Sequence, residues 1–177
     1  MGNESRFTPF EDYLQTLQCP DWTESDWAYL RFCKTVADCD EYLRRFRESG
    51  FQKLIPVIKK IKRRFNAEAI GFESELDGHC LMCLLEYEDV RREIKGKNYT
   101  ATRLRRSGDS NGWFTMLERT ILQKRKGESI GFTVLMQGNR LDASFEAFVV
   151  KNKTRFSEKV VTASVERLTR YGYPIAA

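Results

Sequence analysis

The chain has no run approaching the roughly 18 apolar residues of a membrane span, and its first residues, MGNESRF, have no apolar core of a secretory signal. A cytoplasmic protein without a membrane partner is therefore expected. Gly2 suggests myristoylation, but that motif asks for Ser or Thr at position 6, where this chain has Arg6. Only 4 prolines and 11 glycines occur in 177 residues, which argues against long disordered tracts. The five cysteines, Cys19, Cys33, Cys39, Cys80 and Cys83, are an odd set at irregular spacing, so reduced thiols rather than a disulfide framework are expected. One histidine, His79, leaves little material for acid–base triads. Neither a phosphate-cradling Gly-x-x-x-x-Gly-Lys loop, nor a Gly-x-Gly-x-x-Gly fingerprint, nor a Gly-x-Ser-x-Gly elbow is found. Nucleotide hydrolysis and serine hydrolysis by those routes are disfavoured, and no cofactor is expected.

What is present is an ordinary globular balance, 41% hydrophobic and 31% charged, of a size suited to one compact unit, 1–177. A subdivision into a helical part, 1–65, and a mixed part, 66–177, is the alternative. In the first part Thr8-Pro9-Phe10-Glu11, Thr23 with Asp26, and Asp38 with Glu41 mark helix starts. Gly50 stops the third helix, and a fourth follows over 51–65, with Leu54, Ile58, Ile61 and Phe65 at helical spacing and Pro56 in its first turn. The pattern then reads as period two. Residues 67–76 and 79–88, joined by Asp77-Gly78, predict an antiparallel hairpin, with further strands over 99–105 and 130–136. Helices are predicted after Gly112, from Asp142 or Ser144, and from Ser157. The predicted fold class is thus α+β: a group of short N-terminal helices, a small antiparallel sheet containing the 67–88 hairpin, and C-terminal helices.

Cys80-Leu81-Met82-Cys83 beside His79 has the spacing of half a zinc site. In a strand, however, residues three apart point to opposite faces, so the two thiols read as small buried hydrophobes. Glu73, Glu75 and Asp77 on one strand, with Glu86 and Glu88 on the next, would form a carboxylate cluster of the kind that binds a divalent metal in a nuclease. Alternating strand carboxylates are more often a solvated face. No metal ligand is therefore assigned, and metal-dependent nuclease activity is the third reading.

Charge is more informative. From Met1 to Leu43 there are nine acids against three bases, a net of −6, so the remainder carries +11 of the overall +5. Between Arg91 and Arg106 lie Arg91, Arg92, Lys95, Lys97, Arg103, Arg105 and Arg106, with Tyr99 among them. Lys59, Lys60, Lys62, Arg63 and Arg64 form a second group, expected on the surface of the fourth helix, and residues 124–126 a third. Together they suggest a stripe that neutralises phosphates of DNA or RNA, with Tyr99 or Trp113 available for stacking. Asp38, Asp40 and Glu41 are candidates for binding a basic protein partner, the basis of an adaptor or inhibitor reading.

Residues of the C-terminal half also form a pattern: Tyr99-x-Ala-Thr-Arg-Leu, Gly112-Trp113-Phe114 through Leu117, Gly131-Phe132-Thr133, Arg140-Leu141-Asp142-x-Ser144-x-Glu146-Ala147-x-Val149, Phe156, and Arg167-Leu168 with Tyr171-Gly172-Tyr173. Over residues 99–173 this resembles a module of bacterial proteins encoded near, or fused to, nucleases and defence-associated genes. The chain departs from the module's commoner pattern at 135–139, where an acidic or tryptophan-containing segment is usual. The resemblance implies a bacterial or phage protein of phage defence or counter-defence, and no particular activity. The leading expectation is a non-enzymatic protein that binds nucleic acid through the phosphate backbone with low sequence specificity.

Overall fold

A computed structural model describes residues 7–17, 22–47, 51–123 and 128–175. Among these residues there is no strand. Ten α-helices follow in order: α1 Phe10–Gln15, α2 Glu24–Phe32, α3 Val36–Arg47, α4 Ile55–Ile70, α5 Glu75–Lys95, α6 Thr102–Asn111, α7 Trp113–Leu122, α8 Ile130–Gln137, α9 Phe145–Lys151 and α10 Glu158–Arg170. No described helix is long and apolar enough to cross a membrane. The chain divides into two units, Met1–Gly78 and His79–Ala177, and the division falls inside α5. Gly2, Arg6, Cys19, Gly50 and the basic group at 124–126 lie outside the described residues.

The α+β expectation is overturned, and each predicted strand fails for a local reason. Residues 67–70 complete α4, which ends at Gly71, where φ is +94°. Asp77-Gly78 is no hairpin turn but the first turn of α5. The Ser74 hydroxyl accepts the amide of Asp77 at 3.2 Å and donates to its carboxylate at 3.3 Å, which is helix-capping chemistry. Gly78 stands there because a Cβ would come within 2.6 Å of the Phe7 ring and 2.9 Å of the Phe72 ring. Along α5 the residues of lesser burial, His79, Met82, Glu86, Asp89 and Glu93, recur every three or four positions, a helical period within an otherwise buried run. Residues 102–105 open α6. Ile130 to Met136 lie in α8, started by Ser129, whose hydroxyl accepts the amide of Phe132 at 3.1 Å.

In the first unit the expected helices form. The Thr23–Asp26 capping box is present, with both reciprocal bonds made. α1 begins as predicted, but its N-cap is Pro9, and the Thr8 hydroxyl instead donates to Glu75 at 3.2 Å. α3 begins at Val36, two residues before Asp38, whose amide donates to the Thr35 hydroxyl at 3.1 Å. Leu30, Cys33, Cys39, Leu54, Ile58 and Ile61 are fully buried in one cluster. Tyr29, Tyr42, Phe46 and Phe51 pack beside it with ring centroids 5.3–5.9 Å apart, several of them edge to face, as the ring quadrupoles favour. In the second unit Leu81 and Leu84 of α5, Met116, Leu117 and Ile121 of α7, Leu135 of α8 and Leu168 of α10 are at most 2% exposed.

Candidate functional site

The predicted basic residues have very different surroundings. In the first unit Arg64 is 2% exposed, so the surface placement expected for α4 does not hold for it. Its guanidinium lies 5.0 and 4.6 Å from the Phe7 and Tyr13 ring centroids, and it donates to Glu68 and to the carbonyl of Thr8. Arg63 is buried too. Burial pushes the Tyr13 phenol up to about 12, against the opposing charges of Arg64 and Arg63. Lys62 pairs with Asp40, Lys60 sits 5.8 Å from the Tyr13 centroid, and Lys59 also has a partner. The proposed partner-binding acids are engaged as well: Asp38 accepts the amide of Lys34 at 3.0 Å, and Glu41 pairs with Arg44 and Arg45.

The second unit starts from a buried carboxylate. Glu88, on α5, is inaccessible to solvent; it accepts two bonds from Arg105 at 2.9 and 2.6 Å, and the amide of Ala101 at 2.8 Å. These bonds fix the start of α6 against α5, and the carboxylate in turn raises the pKa of Arg105. Arg92 completes the tie by donating to the carbonyl of Tyr99 at 3.1 Å and to Asp89 at 2.6 Å. Arg92 and Arg105 are therefore structural cations.

Those ties place Tyr99 and Arg103 at a cavity of about 410 Å³. Tyr87, Tyr99, Phe132 and Phe145 give it aromatic walls, and Arg91, Arg103 and Arg167 give it charge. The guanidinium of Arg91 lies over the Tyr99 ring, 3.8 Å from its centroid, and donates to the Tyr87 hydroxyl at 3.1 Å. Its Nε is buried with no acceptor among the described residues. Burial, then the neighbouring Tyr99 hydroxyl, raises the Tyr87 phenol further above its ordinary value. Arg91 thus meets hydroxyl and ring partners, and has no carboxylate partner among the described residues. Gly131 admits the Tyr87 hydroxyl so closely that any Cβ would collide with it. On the far side Arg167 is satisfied, bonded to Glu146, to Glu128 at 3.1 Å and to the carbonyl of Ile121. A second depression, of about 430 Å³, shares Arg103, Leu104, Thr120 and Gln123 with the first and adds Arg119.

Of the predicted residues, then, the structure brings Arg91, Tyr99 and Arg103 together. Lys95, Lys97 and Arg106 are exposed in the same segment, and among the described residues none of these three, nor Arg91 or Arg103, has a carboxylate partner. The carboxylate cluster expected of a nuclease is dispersed: Asp77 accepts from the Ser74 hydroxyl that caps α5, Glu75 accepts from Thr8, and Glu88 holds Arg105. Among the described residues no group of three or more His, Cys, Asp or Glu side chains is placed to hold a metal ion. Cys80 and Cys83 are buried on α5, three residues apart and so on one side of the helix rather than on opposite faces of a strand. Cys33 and Cys39 are buried in the first unit's core cluster, where the Cys33 thiol donates to the carbonyl of Tyr29 at 3.6 Å.

Sequence reading gave Tyr87, Gly131, Phe132, Phe145 and Arg167 no place in a site, although Gly131, Phe132 and Arg167 belong to the C-terminal pattern. The available signal was Tyr87 four residues before Arg91, a spacing that makes the two side chains neighbours once α5 is a helix. No family model, curated protein or solved structure matches the chain.

Proposed function

We propose that the His79–Ala177 unit binds nucleic acid through the phosphate backbone with little sequence preference. The observation that carries this reading is the set of cations that have no carboxylate partner among the described residues and lie in one short stretch: Arg91, Lys95, Lys97, Arg103 and Arg106, alongside Tyr99. A cation already paired gains little from a phosphate, because it must give up one anion to take another. An unpaired one releases the phosphate's counterions at no such cost. The contributing set is therefore narrower than the full run of basic residues: Arg92 and Arg105, like Arg63, Arg64 and Lys62, serve the fold. A role in phage defence or counter-defence, implied by the resemblance over residues 99–173, belongs to this same proposal.

Fluorescence anisotropy of labelled single- and double-stranded DNA and RNA across a salt series tests the reading. Micromolar binding that weakens steeply with salt is expected, each neutralised phosphate adding about 0.7–0.9 to the log–log slope. Absence of binding at low salt to all four would end it.

A further inference from the structure

We propose that the cavity between Tyr87, Tyr99 and Phe132 receives one nucleotide of a single strand, so that the protein selects single-stranded over duplex nucleic acid. This rests on the backbone-binding reading and adds to it a ligand for one specific site.

Four observations point to a nucleotide rather than to phosphate alone. The volume, about 410 Å³, lies within the roughly 300–1,000 Å³ of pockets that enclose a small organic ligand, and far exceeds what a bare phosphate needs. The walls are mixed as a nucleotide is mixed: aromatic rings and Leu104 suit the faces of a base, while Arg91 and Arg103 suit its phosphate. Glu128 and Glu146, already oriented by Arg167, supply acceptors for the N–H groups on a base edge. Finally Ile130, which also lines the cavity, is 77% exposed, the most exposed of the large apolar residues described. An isoleucine left in water at the mouth of an aromatic cavity is apolar surface that an inserted base would cover.

The neighbouring depression extends the argument. Because it shares Arg103 and adds Arg119, the two hollows can take adjacent nucleotides of one strand, with Arg103 serving the phosphate between them. A duplex holds its bases stacked inside and has none to insert. It can engage only the exposed cations.

The test is anisotropy on the full chain with a labelled oligothymidylate and a labelled duplex of the same length, using thymidine monophosphate as competitor. The single strand is expected to bind at least about tenfold more tightly, and the free mononucleotide to displace it but not the duplex. Ile130→Ser, which removes the exposed apolar side chain at the cavity mouth without adding a charge, is expected to weaken single-strand binding several-fold, by about threefold or more, and duplex binding by clearly less. Should that variant melt early, the competition on the unaltered protein decides the matter by itself. Equal affinity for both polymers without displacement by the mononucleotide overturns the cavity proposal and leaves backbone binding standing. Failure of both polymers to bind overturns the two together.

Discussion

Met1–Gly78 and His79–Ala177 differ in what they do with their charges. The first has 12 bases and 14 acids, a net of −2, and the described pairs Lys34–Glu11, Lys53–Asp26, Lys62–Asp40 and Arg44–Glu41 cancel much of it locally. The second has 18 bases and 11 acids, a net of +7, so cations must be left over. They are not left over at random: Arg92, Arg105, Arg140 and Arg167 take the acids and hold the fold, while Arg91 and Arg103, at the cavity, have no carboxylate partner among the described residues. Composition alone reports an acidic beginning and a basic remainder. Pairing separates charge spent on architecture from charge available to a ligand.

The sharpest way to break the comparison is at Glu88. Glu88→Leu leaves Arg105 without its anion and the Ala101 amide without its acceptor, and should cost about 3–5 kcal/mol. Replacing both partners, Glu88→Leu with Arg105→Leu, should recover much of that loss, since an apolar pair leaves no buried charge unmatched. Urea denaturation of the two variants measures the difference. If the double variant is as unstable as the single, Glu88 acts through something other than its pairing with Arg105.

Next in size is Gly78. A methyl group there meets Phe7 and Phe72, so Gly78→Ala should destabilise by about 1–3 kcal/mol, more than the roughly 1 kcal/mol that alanine gains as a helix former. In a background carrying both Phe7→Ala and Phe72→Ala the same change should instead stabilise. A positive-φ hairpin turn would predict a loss in both backgrounds, so the sign of the change separates helix from turn.

The same position explains how much of the fold was legible. Asp77-Gly78 carries a strong turn signal, and only knowledge of the two rings beside Gly78 turns it into a helix residue. The run from Cys80 to Leu85 is buried around much of its circumference, and an apolar run of that length has no period to read. The period survives in the less buried residues His79, Met82, Glu86 and Asp89. By contrast α2 and α4 announce themselves through capping residues and Pro56, because such signals act within one turn and need no tertiary partner. The site was half legible for the same reason. Arg91, Tyr99 and Arg103 stand out by composition, whereas Gly131, Phe145 and Arg167 come from α8, α9 and α10 and join the cavity only through folding.

A smaller effect is expected at the α2 cap. Thr23→Ala removes the acceptor for the Asp26 amide and should cost about 1 kcal/mol by thermal melting. Lys53 foremost, and the Thr23 amide after it, hold the Asp26 carboxyl below its ordinary value. Its stabilising contribution is thus fully present above the ordinary carboxylate pKa and is lost as the pH falls through the lower folded-state value, below about pH 4. Asp26→Asn should flatten that part of the melting profile, and an unchanged acid limb would show that other carboxylates govern it.

The smallest effect sharpens the comparison most, because it contrasts a paired cation with an unpaired one. Lys62→Gln removes a partly exposed ion pair with Asp40 and should change stability by no more than about 1 kcal/mol. Nucleic-acid affinity and its salt slope should stay where they were, since that lysine already has its anion. Arg103→Gln removes an exposed cation that has no carboxylate to lose, so stability should stay unchanged while affinity falls and the salt slope drops by about 0.7–0.9. Equal losses of affinity in the two variants would mean that pairing within the protein does not decide which cations are available, and that net charge alone attracts the polymer.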